Sequence, residues 1–104
     1  MLLQINIDNI EDLMDRKDIS VIHFVEPNCN VSKNNREIID KVKDEYKDIV
    51  FSELDTEKEE ELAENFNVKN KSGVLIFFKN GDIIEILFGA LNEKRLKDKI
   101  DSLL

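Results

Sequence analysis

The chain has 104 residues, 41% of them hydrophobic and 37% charged, which suits one compact domain with its own core and leaves no room for two. A formal net charge of −8 argues against nucleic acid and anionic membrane as partners, because both call for a positive surface. No run of about 18 apolar residues offers a membrane span. The opening M-L-L-Q-I-N-I-D lacks the basic head and small-residue cleavage site of a signal peptide, and one cysteine cannot form a disulfide framework. A reducing, cytoplasmic setting is the expectation.

Leu2 to Ile7 alternates apolar with polar residues, placing Leu3, Ile5 and Ile7 on one side of a short predicted strand. Asp8 followed by Glu11 has capping-box spacing, and the brief helix after it carries Ile10, Leu13 and Met14. Ile19 to Val25 is nearly continuous and apolar, broken by Ser20 and His23, as in a central strand covered on both faces. From Asn30 to about Lys47, Val31, Ile38, Ile39, Val42 and Tyr46 recur at helical spacing. Ile49 to Leu54 is a third strand, and Thr56 to Phe66 a charge-rich helix anchored by Leu62, Ala63 and Phe66, its acidic run reading as a solvated face. After a polar loop at Asn67 to Gly73, Val74 to Phe78 and Ile83 to Phe88 flank the turn Lys79-Asn80-Gly81-Asp82 and predict a hairpin. Asn92 caps a last helix with Leu96, Ile100, Leu103 and Leu104 as its apolar face.

The order β-α-β-α-β-α-β-β-α predicts a single α/β domain over residues 1–104, a mixed five-stranded sheet with helices on both faces. Its first three strands are parallel and its final hairpin antiparallel. Reaction sites in such sheets lie beyond the C-terminal ends of the parallel strands. Cys29, the chain's only cysteine, stands at such an end, just past its only proline, Pro27, and just before a helix. Unpaired N–H groups at a helix start favour a thiolate over a thiol, so the expected pKa lies below that of a free cysteine. Lys33, one turn on, adds favourable charge. The competing fate of a free cysteine is to pack as a small hydrophobe.

Several segments together resemble the thioredoxin family, and the resemblance covers nearly the whole chain. They are F-x-x-P-x-C-x-x-S-K at Phe24 to Lys33, E-L-A at Glu61 to Ala63, F-F-K-N-G at Phe77 to Gly81 and G-A-L at Gly89 to Leu91. The resemblance implies the thioredoxin fold and thiol–disulfide exchange without a cofactor. The family's W-C-G-P-C motif falls on Asn28, Cys29, Asn30, Val31 and Ser32, so Cys29 matches the nucleophile and Ser32 stands where the resolving cysteine would be. The family's cis-proline falls on Gly73, for which an ordinary trans peptide is expected; with Ser72 it would shape the substrate-facing loop. The family's buried aspartate and its lysine partner on the next strand correspond to His23 and Glu53, which exchanges the positions of base and acid. These two either tune the site, as an ion pair or hydrogen bond of reversed polarity, or His23 is a core histidine with satisfied nitrogens.

With serine at position 32 the first half of the exchange can proceed and the second has no internal thiol. Two origins fit: a natural monothiol, or a cysteine-to-serine substitution made to trap mixed disulfides. The expected partners are protein disulfides and a thioredoxin-reductase-type reductant. A monomer is expected, with an intermolecular disulfide as a route to a dimer. The other class of function is a redox-inactive adaptor presenting Asn28, Asn30 and Gly73 as a polar patch. One cysteine and one histidine are too few to hold a metal, unless two chains share a cluster as in some C-x-x-S glutaredoxins. A Cys29–His23 hydrolase has no orienting partner beyond Glu53.

Overall fold

The computed structural model describes residues 2–104. It contains five strands, β1 (Leu3–Gln4), β2 (Ser20–Val25), β3 (Val50–Asp55), β4 (Val74–Lys79) and β5 (Asp82–Leu87), and four helices, α1 (Ile10–Met14), α2 (Asn30–Val42), α3 (Glu60–Asn65) and α4 (Glu93–Leu103). They form one sheet in the order β1-β3-β2-β4-β5. β1 and β2 run parallel to β3, β4 is antiparallel to β2, and β5 is antiparallel to β4. This is the mixed architecture that the element order predicts.

β2 is the middle of the sheet, and all six of its residues are buried. Because successive strand residues point to opposite faces, its apolar set divides in two. Ile22 and Phe24 join Leu13, Leu62 and Ile76 in one core layer, while Val21 joins Ile39, Leu75, Leu96 and Ile100 in the other. The hairpin turn places Asn80 (φ 53°) and Gly81 (φ 83°) both in the left-handed region, as a two-residue type I′ connection requires. Asn80 and Gly81 then donate their N–H groups to the carbonyls of Arg16 and Met14, each at 2.8 Å, which docks the turn against the end of α1.

Three helix boundaries differ from the sequence expectation, and β1 is two residues long (Leu3–Gln4) rather than running from Leu2 to Ile7. Asp8 does not cap α1. Asn6 Oδ1 instead accepts the N–H groups of Asp8 (2.9 Å) and Asn9 (3.2 Å), and Asn9 Oδ1 accepts from Asn6 N (2.9 Å), so two asparagines close the turn that leads into the helix. This loop carries Ile7 out to 71% exposure, and Leu3 is exposed as well, so of the three alternating residues only Ile5 is buried. α2 ends at Val42 and tightens into a 3₁₀ turn at Lys43–Glu45 rather than running to Lys47. α3 begins at Glu60, not Thr56; the residues before it form a turn in which Asp55 Oδ1 accepts the N–H groups of Glu57 (2.9 Å) and Lys58 (3.1 Å) and Asp55 O accepts from Glu59 N (2.9 Å). Asn92 caps α4 as expected, its Oδ1 accepting from Arg95 N at 2.8 Å.

Candidate active site

The chain leaves β2 through a turn in which Cys29 N donates to Glu26 O at 3.3 Å. Pro27 and Asn28 are its central residues, and Asn28 has a φ of 62°. Proline followed by a residue of positive φ is the type II pattern, and asparagine tolerates that region better than most residues. The turn delivers Cys29 in an extended conformation to the N-cap position of α2, where its carbonyl accepts the first helical bond from Lys33 N at 3.0 Å.

At that position the thiol is partly exposed, and Cys29 Sγ donates to Ser72 Oγ; once ionised, it can instead accept from that hydroxyl. The backbone N–H of Ser32 and then the Ser72 hydroxyl, whose oxygen is 3.7 Å from Cys29 Sγ, hold the thiol below its ordinary pKa. Partial desolvation opposes them, while the Val31 N–H and the Ser32 hydroxyl add to the lowering. These donors, rather than Lys33, carry the effect. Lys33 lines a cleft of about 510 Å³ beside the thiol, together with Pro27, Ser32 and Arg36.

Ser32 is buried beneath Cys29, and its Oγ accepts the Glu26 N–H at 3.0 Å. Asn28 and Asn30 are exposed on either side of the thiol, and Val31 is half-buried. Gly73 is enclosed, with φ +65°, and no cis peptide bond occurs among the described residues. A Cβ there would lie 2.6 Å from both Gly89 O and Val31 Cγ1, so the loop packs backbone-first against α2 and the segment after β5.

His23 and Glu53 are register partners on adjacent strands, yet they do not bond to each other. Glu53 is taken by Arg36, through Nε to Oε2 at 3.0 Å and Nη2 to Oε1 at 2.7 Å, and by Gln4 Nε2 at 2.8 Å. Burial works against its ionisation, but the bonds from Arg36 and Gln4 outweigh burial and leave the carboxyl below its usual range. His23 is fully enclosed, and neither ring nitrogen has a hydrogen-bond partner. Burial, opposed by Glu53 and assisted by Arg36, lowers its pKa to about 4, so the ring is neutral near pH 7. The ion pair of the site therefore joins Glu53 to a helix residue.

The sequence reading passed over Arg36, Gln4, Asn35 and the pair Phe88–Lys71. Arg36 lies two turns into α2, where an exposed arginine carries no local signal. Asn35 had one, as a polar residue on the buried stripe with Ile39 and Val42. Phe88 is 48% exposed, with Lys71 Nζ 5.4 Å from its ring centroid, and both residues adjoin the Ser72–Gly89 contact.

A family model described as Thioredoxin matches residues 2–102. The chain belongs to the thioredoxin family. Among solved structures, the thioredoxin of Malassezia sympodialis superposes with a TM-score of 0.87 at 21% identity, covering 98% of this chain and 90% of that one. The thioredoxin of Trypanosoma brucei brucei gives 0.88 at 17% identity, covering 99% and 90%. The sheet and helices described above are thus the thioredoxin fold. A curated relative, an NADPH-dependent thioredoxin reductase 3 from Arabidopsis thaliana, is 28% identical over 85 residues. That match takes in 81% of this chain but only 16% of the reductase. Among the described residues no helix is long and apolar enough to cross a membrane, and no group of three or more His, Cys, Asp or Glu could hold a metal ion.

Proposed function

We propose that this thioredoxin-family protein is a monothiol thiol–disulfide oxidoreductase that works through Cys29 and depends on outside thiols to complete its cycle. The observation that carries the reading is the thiol's position at the N-cap of α2, partly exposed and facing the Ser32 N–H and the Ser72 hydroxyl. In the first step the Cys29 thiolate attacks one sulfur of a substrate disulfide, forming a mixed disulfide and releasing the other sulfur as a thiolate. Ser32 cannot continue, since its hydroxyl has no thiolate-like form near neutral pH. A first external thiol then attacks Cys29 Sγ and frees the reduced substrate. A second attacks the external sulfur now bound to Cys29, leaving as a disulfide with the first and regenerating the Cys29 thiolate. Protein disulfides are the proposed substrates, and a thioredoxin-reductase-type system is the proposed ultimate source of electrons.

A redox-inactive adaptor of the same fold is the competing reading, favoured by the structural use of the Ser32 hydroxyl, which satisfies Glu26 N, and by the exposed Phe88 beside the site. Reduction of insulin disulfides separates the two. Ser32→Cys is expected to release reduced substrate without an external thiol, while release from the serine form rises with the concentration of added thiol. No activity in either form contradicts the oxidoreductase and supports the adaptor.

A further inference from the structure

Asn35 is fully enclosed on a helix face whose buried neighbours, Ile39 and Val42, are apolar. A buried amide at such a position is costly unless both its ends are bonded. Its Nδ2 donates to Gly89 O at 3.0 Å, and its Oδ1 accepts from Leu91 N at 2.9 Å. Asn34 reinforces the joint, its Nδ2 donating to Asn35 Oδ1 at 3.1 Å and to Leu91 O at 3.0 Å. Gly89, held by its carbonyl, uses its own N–H to bond the Ser72 carbonyl at 3.1 Å. Ser72 in turn presents its hydroxyl oxygen 3.7 Å from Cys29 Sγ. Gly73, next along, has no free space on this side. The helix that carries the thiol at its start therefore fixes, two turns later, the loop that returns a hydroxyl to that thiol.

We propose that Ser72 is a catalytic residue of exchange at Cys29, donating a hydrogen bond to the thiolate, and that Asn35 is the positioning residue that holds it there through Gly89. The inference rests on the reading of Cys29 as a reactive thiol. Cys29 is a thiolate both when it attacks and when it departs from its last mixed disulfide, and a lower leaving-group pKa speeds departure. A donor fixed beside the sulfur stabilises that form at both moments without needing a second cysteine. A merely structural Asn35 would join α2 to the Gly89–Leu91 segment and leave the thiol's titration unchanged.

The test is the rate of Cys29 alkylation by iodoacetamide as a function of pH. Ser72→Ala is expected to move the midpoint to higher pH with the melting temperature unchanged, because Ser72 is exposed, and Ser72→Thr to restore it. Asn35→Ala is expected to shift the midpoint the same way, and the double variant to go no further than Ser72→Ala alone. A Ser72→Ala midpoint equal to wild type, an Asn35→Ala midpoint that stays in place, or additive shifts in the double variant overturns the inference. If Asn35→Ala does not fold, hydrogen exchange at the Gly89 amide of the wild-type chain decides the positioning step. Protection is expected there, and exchange at the unstructured rate contradicts it. A wild-type midpoint at the value of a free cysteine overturns the proposed function itself.

Discussion

His23 pays for its place in the central strand, since a neutral imidazole still carries one donor and one acceptor and here both are unmet. Its pH behaviour follows. The unfolded chain takes up this proton near pH 6.5, the folded chain only near about 4. Across that window the unfolded state holds more protons, so stability is full above pH 6.5 and falls as the pH is lowered through it. The loss from this group is roughly 3 kcal/mol once the pH is below both values. His23→Leu removes both orphaned nitrogens while keeping an apolar body. We expect it to be at least as stable as wild type at pH 7 and to show a flatter decline from pH 6.5 to 4 in urea unfolding. An unchanged acid limb contradicts the assignment. At this scale the family resemblance set His23 and Glu53 on neighbouring strands, but did not show whom each would bond. Hydrogen-bond partners depend on what lies beside a strand in space: Arg36 comes from α2, and Gln4 from the edge strand β1, where it is the register partner of Glu53.

Three connecting segments meet beside α2 to make the site. The turn from β2 sets the thiol at a helix start, the loop before β4 brings Ser72 and Gly73, and the segment after β5 brings Gly89 to Leu91. Gly73 is the point where they close on one another. Gly73→Ala adds both a side chain in left-handed backbone and contacts of 2.6 Å to Gly89 O and Val31 Cγ1. The two effects together are expected to cost roughly 2–4 kcal/mol and to disturb alkylation of Cys29. A variant with wild-type melting temperature contradicts this packing. The regular elements were legible in sequence because periodicity reports burial, as the buried β2 and the Asn92 cap show. Ends were less so. Asp8 matched a capping pattern, but Asn6 and Asn9 formed a reciprocal pair that removed the need for it. Asp55 accepts the Glu57 and Lys58 amides as a cap for a helix from Thr56 would, yet the regular turns of α3 begin only at Glu60.

On the scale of the whole molecule, a fold that brings three separate segments to one thiol is combined with a sequence that supplies no second cysteine. Under the proposed function Cys29 is the attacking group, and Ser32, whose Oγ accepts the Glu26 N–H, offers no second thiol to resolve the product. The central claim is that attack occurs and internal resolution does not. The direct measurement is intact-protein mass spectrometry after mixing the reduced chain with glutathione disulfide at neutral pH. A single glutathione adduct at Cys29 is expected, one that persists when the disulfide is removed and is released by added thiol. A chain that remains unmodified under conditions where a free cysteine peptide reacts would contradict it.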